Sequence, residues 1–233
     1  MHDLVTCKGL SKNYGKVSAL TNVDLQLHSG RIIGLLGPNG SGKTTLLKIL
    51  AGLLTPTKGI VSVLGNNIGV ETKNMVSYLP ERTYFDRNMR VSEYLDLFSD
   101  FYSDFDSYKA QSLLNTLSIS PNAKLRSLSK GNCEKVQLIL VMSRQAKLYL
   151  LDEPIGGVDP AARDFILETI LNNQSGDSTI LISTHLIQDI EKLLDEVIFL
   201  RNGQILMHDS ADNIRQTHDK SIDEMFREVF KCC

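Results

Sequence analysis

The chain has no tryptophan, an aromatic content of only 6%, six prolines and four cysteines in 233 residues. The cysteines, Cys7, Cys133, Cys232 and Cys233, match the spacing of no zinc or redox motif, so reduced thiols are expected. The closing Cys232-Cys233 pair reads as two tail thiols rather than a lipid attachment site. No apolar run approaches the roughly 20 residues that a membrane-crossing helix needs. The opening Met1-His2-Asp3-Leu4 lacks the basic and apolar segments of a secretory leader. Twenty-five basic side chains oppose 27 acidic ones, for a net charge of −2. That balance gives no electrostatic case for binding nucleic acid or an anionic membrane surface. There is no internal repeat and no low-complexity tract. What remains is a 42% hydrophobic chain, ordinary for a globular protein and sized for one large domain, with or without an inserted subdomain.

Against that plain background one segment stands out. Gly37-Pro38-Asn39-Gly40-Ser41-Gly42-Lys43-Thr44 fits the phosphate-loop pattern G-x-x-x-x-G-K-[ST] at every defined position. The apolar run Arg31–Leu36 before it reads as a buried strand, and Thr45–Ala51 after it as a helix. In that setting backbone N–H groups close around phosphate oxygens, and the helix N-terminus adds positive potential. Lys43 is expected to reach the terminal phosphates and the Thr44 hydroxyl to sit on Mg2+, which implies a nucleoside triphosphate ligand.

The rest of the chain supplies a frame for that loop. Residues 3–27 alternate apolar and polar, predicting antiparallel strands with turns near Asn13-Tyr14-Gly15 and His28-Ser29-Gly30. Short strands are expected at 59–64 and 75–79. From Val91 the period becomes helical, with Tyr94, Leu95, Phe98, Phe101, Tyr102 and Phe105 on one stripe, and helices continue to about Arg144 with a break near Ser120-Pro121-Asn122. Buried strands at 147–152 and 178–183, helices at 161–171 and 186–194, and a hairpin around Arg201-Asn202-Gly203 follow. Ile222, Met225, Phe226, Val229 and Phe230 form an amphipathic stripe in the tail. The expected class is α/β: a phosphate-loop NTPase core, mainly parallel sheet flanked by helices, with an N-terminal antiparallel β subdomain and an inserted α-helical subdomain. The expected division is a single domain, with its core at about 1–82 and 146–215, the helical insertion at about 83–145 and the tail helix at about 216–233.

Two further motifs carry chemistry. Leu148-Tyr149-Leu150-Leu151-Asp152-Glu153 buries a strand and ejects two carboxylates at its C-terminal end, where open α/β sheets bind ligands. Asp152 is expected to hold Mg2+, and Glu153 to orient or deprotonate the attacking water. Leu128-Ser129-Lys130-Gly131-Asn132 leads into the helix that starts near Glu134. With these motifs in this order, residues 3–215 resemble an ATP-binding cassette subunit, the nucleotide-binding subunit of ABC transporters. Within that family the Ser-Lys-Gly signature, the Phe101–Asp106 stretch and Gly156-Gly157-Val158-Asp159-Pro160 are most similar to the drug-export and antibiotic-resistance branch.

The resemblance implies two cassettes sandwiching two ATP molecules, each held by the phosphate loop of one subunit and by Ser129 and Gly131 of the other. It implies that Tyr14 stacks on adenine, that Asp159 crosses between subunits and that His185 contacts the γ-phosphate. It further implies hydrolysis of ATP with Mg2+, a membrane permease partner, and residence on the cytoplasmic face of the membrane. Two departures are visible. Glu81 stands where the family usually has a glutamine that ligates Mg2+, and its carboxylate is expected to ligate the ion in that residue's place; Lys130 and Asn132 replace a glycine and a glutamine of the signature. A soluble ABC ATPase of translation or DNA repair is the alternative, but the fused second cassette, long coiled coil or basic face of such machines is not evident.

Overall fold

A computed structural model describes residues 3–158, 160–173 and 176–231. The readings made above for Asp159 and for the Cys232-Cys233 pair fall outside those residues. In chain order, β1 (Asp3–Tyr14) and β2 (Val17–His28) form a hairpin, and β3 (Ile32–Leu36) leads into α1 (Lys43–Leu50). Then come β4 (Lys58–Val63), β5 (Asn66–Asn67), α2 (Val70–Met75) and β6 (Val76–Leu79). Three helices follow, α3 (Val91–Phe101), α4 (Ser107–Thr116) and α5 (Lys130–Met142). The chain returns through β7 (Leu148–Asp152), α6 (Pro160–Asn173), β8 (Thr179–Thr184) and α7 (Ile187–Ile190). It ends with β9 (Glu196–Arg201), β10 (Gln204–Ser210), α8 (Ala211–His218) and α9 (Ile222–Phe230).

Two sheets result. One is antiparallel, in the order β2-β1-β4-β5; the other runs β10-β9-β3-β8-β7-β6, parallel except for the β9–β10 hairpin. In β2, Leu20, Val23, Leu25 and Leu27 are buried while intervening residues are not, as a sheet with one solvated face requires. Every residue of β3, β7 and β8 is buried, the pattern of central strands covered on both faces. Helix α1 lies in the core that joins the sheets, with Leu46, Leu47, Ile49 and Leu50 fully enclosed. Each such side chain contributes about 1.5–3 kcal/mol of burial, which anchors the end of the phosphate loop. The tail stripe packs on the opposite core, where Phe226 and Phe230 meet Phe199 with ring centroids 5.7 and 6.0 Å away.

Helices α3 to α5 enclose their own core around Val91, Leu114, Leu125 and Ile139. Arg144, 3% exposed, clips this unit to the sheet. Its guanidinium donates to both Asp104 carboxylate oxygens at 3.0 and 3.1 Å and to the carbonyls of Val76 and Asn74 at 2.7 and 2.8 Å. It also stacks 3.8 Å from the Tyr102 ring.

Some elements differ from expectation. The helical stripe ends at Phe101, which is 73% exposed, because the chain breaks at Tyr102 so that the Asp106 N–H can donate to the Ser143 carbonyl and Asp106 can cap α4. The helix expected at 186–194 is only α7. The Asp195 carboxylate accepts from the Ile32 N–H while its own N–H donates to the Ile32 carbonyl, which draws the following segment onto β3.

Candidate active site

Four loops leave the carboxyl ends of adjacent strands. β3 ends at the phosphate loop, β8 at His185, β7 at Glu153 and β6 at Glu81. Together they surround a cleft of about 860 Å³, within the size range of small-molecule sites. Asn39, Gly40, Ser41, Gly42, Lys43, Thr44 and Thr45 line it, with Glu81, Glu153 and His185 facing them.

Gly37 and Pro38 precede this lining and do not border the cleft. A Cβ on Gly37 would sit 2.2 Å from the Leu200 carbonyl oxygen, so only glycine lets the loop pass there. Gly42, at φ 108°, enters α1 in a conformation that side chains rarely adopt. The Lys43 ammonium, 6% exposed, donates to the Gly37 carbonyl at 2.7 Å and the Pro38 carbonyl at 3.3 Å, and lies 3.5 Å from Glu153 Oε1. The Ser41 hydroxyl is buried without a partner among the described residues. A buried orphan hydroxyl and an enclosed ammonium at a helix N-terminus make an anion site: phosphate oxygens would satisfy the first and give the second a charged acceptor.

Glu153 lies at the centre. Its φ of 50° is left-handed, a conformation that costs a non-glycine residue about 1–3 kcal/mol. Its N–H is tied to the Ser183 carbonyl at 3.0 Å and to the Ser183 hydroxyl at 3.1 Å, which holds the backbone there. Oε2 meets His185 Nδ1 at 2.9 Å. Asp152, 1% exposed, accepts from Ser183 Oγ at 2.6 Å, Thr44 Oγ1 at 3.1 Å and Tyr78 OH at 3.4 Å. Burial, then the Asp152 charge, pushes the Tyr78 hydroxyl well above the ordinary tyrosine range, so it stays protonated and donates. Ser183 and Tyr78 carry no motif signal of their own. The pairing of Asp152 with Ser183 across β7 and β8 is what brings the serine in.

The residues present fit Mg2+. Thr44 Oγ1 and Asp152 Oδ1 are adjacent hard oxygens, and among the described residues no three acidic, His or Cys side chains converge on a metal. A cation held by few protein ligands, with phosphate and water completing its shell, is the usual Mg2+ arrangement.

The other expected residues lie apart. Tyr14, half exposed at the end of β1, does not line the cleft, although Ala19 on the same hairpin does. Ser129 caps α5 by accepting from the Asn132 N–H at 3.2 Å. Ser129 is exposed, Gly131 has nothing within 4 Å of where a Cβ would be, and neither borders the cleft. Lys130 does border it and pairs with Glu134 at 3.6 Å, but at 82% exposure that pair contributes little.

A parallel sheet whose strand ends carry a phosphate loop, an acidic pair and a histidine defines a protein of the phosphate-loop NTPase fold. The particular family is also fixed. The family model described as ABC transporter matches residues 20–156, and the chain belongs to that family. An uncharacterised ABC transporter ATP-binding protein of Synechocystis is 32% identical over 85% of this chain, which spans 58% of that protein's length. The Nod factor export ATP-binding protein I of Cupriavidus pinatubonensis is 30% identical over 90% of this chain and 68% of its own. The solved structure of an ATP-binding subunit of an ABC transporter superposes with a TM-score of 0.88, at 29% identity, over 97% of this chain and 99% of that one.

Proposed function

We propose that the chain is the ATP-binding and ATP-hydrolysing subunit of an ABC transporter. It pairs with a second cassette when ATP binds and drives separate membrane permease subunits at the cytoplasmic face of the membrane. The observation that carries this reading is Glu153, a carboxylate fixed between His185 and Lys43 on the floor of a cleft rimmed by the phosphate loop.

Lys43 and the loop N–H groups bind the terminal phosphates, and Lys43 exchanges its contact with Glu153 for phosphate oxygens. Glu153, released on that side and held by His185, orients a water and takes its proton. Thr44 and Asp152 would hold Mg2+, with Glu81 facing them across the cleft; the ion supplies charge neutralisation at the phosphates. Ser129, exposed, and Gly131, half-buried beside it at the start of α5, serve the nucleotide of the second cassette. Residues of about 1–82 and 146–215 act as the nucleotide-holding core, and about 83–145 as the arm that presents the signature. Export is the direction we favour, from the branch resemblance and from the export protein among the relatives.

Phosphate release decides the matter. The parental chain should release phosphate with Mg2+ and ATP, and Glu153→Gln should slow this by about 10²–10⁴-fold while still binding ATP. A Glu153→Gln variant at the parental rate would remove Glu153 from its role. A parental chain that binds ATP and pairs, yet releases no phosphate, would make it a nucleotide-dependent regulatory module instead.

A further inference from the structure

Behind the cleft a second cavity, of about 30 Å³, lies between α5 and the ends of β6 and β7. That is room for one water. Glu81, Glu134 and Glu153 border both spaces. One wall is Gln137, on α5 two turns beyond the signature and 2% exposed. Its Nε2 donates to the Pro80 carbonyl at 3.4 Å. A carbonyl can only accept, so this contact sets the orientation of the amide and turns Oε1 away from it. Oε1 is buried and has no partner among the described residues, a costly state that ordered water commonly relieves.

The other polar side chains in the lining are the carboxylates of Asp152, Glu153, Glu81 and Glu134 and the Thr83 hydroxyl. Whatever relieves Gln137 Oε1 must donate to it. A metal ion does not suit it, since no acidic or histidine cluster among the described residues has metal-holding geometry. Water fits the volume and can donate both hydrogens. One goes to Gln137 Oε1. The other goes to a carboxylate: Asp152 already accepts from Ser183, Thr44 and Tyr78, and Glu134 pairs with Lys130, which leaves Glu81 and the catalytic Glu153 as takers.

We propose that Gln137 is a positioning residue: it holds one water against the Glu153 carboxyl group and thereby ties the signature helix to the catalytic carboxylate. This rests on the ATPase reading above. The tether matters at a definite point, when Lys43 leaves Glu153 for phosphate and only His185 still orients the carboxylate. The same amide grips Pro80, directly before Glu81, so a shift of α5 against the sheet strains both contacts together.

The test uses the full chain, with Gln137→Leu and Gln137→Glu. A high-resolution crystal structure of the parental protein should show one water within hydrogen-bond reach of Gln137 Oε1, absent from Gln137→Leu. That variant should lose about tenfold in kcat, with ATP affinity within about twofold and a melting temperature no lower, since the buried orphan is gone. Gln137→Glu keeps an acceptor and should keep the water and most of the rate. A dry cavity in the parental protein, or a Gln137→Leu variant with parental kcat, overturns the proposal. So does a fall in melting temperature and rate shared equally by both variants, which marks a purely structural residue. A cavity water in a parental chain that releases no phosphate would sustain the water site and overturn the ATPase reading.

Discussion

The phosphate loop and the start of α5 are both helix N-termini suited to an anion, yet they are built in opposite ways. At the first, Lys43 and Ser41 are buried, Gly37 rests on Leu200, and four strand ends close the walls. At the second, Ser129 is exposed, Lys130 extends into solvent, and the space over Gly131 is open. The same charges and dipoles act weakly in water and strongly where water is excluded. The first region can therefore hold a triphosphate within one chain. The second becomes a strong site only when another surface covers it. One chain thus offers a complete half-site and an incomplete one, which is the physical basis for the proposed pairing of two cassettes.

Three substitutions probe that contrast, the largest effect first. Lys43→Ala removes the enclosed ammonium and should weaken ATP binding by about 100-fold or more, the value of a buried charge-assisted contact. Titration calorimetry showing near-parental affinity would dissolve the first half of the comparison. A Cβ at Gly131 has open space around it and the residue does not border the cleft, so with Gly131→Asp the ATP affinity of the isolated chain should stay unchanged. The new carboxylate would face the partner's phosphates, and phosphate release should fall at least about tenfold, since like charges across an interface cost several kcal/mol. A matching loss of affinity in the isolated chain would show that the two regions serve one nucleotide in one chain. Glu81→Gln should have the smallest effect. Its charge borders the cleft, and removing it should tighten ATP binding about two- to fivefold at low Mg2+, where no cation offsets the repulsion. Identical affinity curves across a Mg2+ series would leave the Glu81 loop a mechanical part only.

The first region was almost wholly legible in the sequence, and the reason is locality. Eight consecutive residues make the phosphate loop, and one apolar strand delivers Asp152 and Glu153. The partners of Asp152 were not legible. Ser183 is 31 residues away and Tyr78 is 74 away, and both arrive through strand register rather than motif. The Arg144 clip escaped for the same reason, since Asp104 and Val76 lie 40 and 68 residues from it. Helical periodicity followed Val91 to Phe98 correctly but ran on through Phe101 and Phe105. It could not register that Asp106 leaves the helix to bond Ser143 and cap the next one. The tail stripe read true because its five apolar residues had a buried Phe199 to meet.

In the proposed pairing, the exposed start of α5 completes a second chain's nucleotide site. Light scattering of Glu153→Gln during size-exclusion chromatography, with Mg2+-free ATP and without nucleotide, tests it directly. The molar mass of a dimer is expected with ATP and that of a monomer without it. A monomer that elutes with one ATP bound per chain would contradict it.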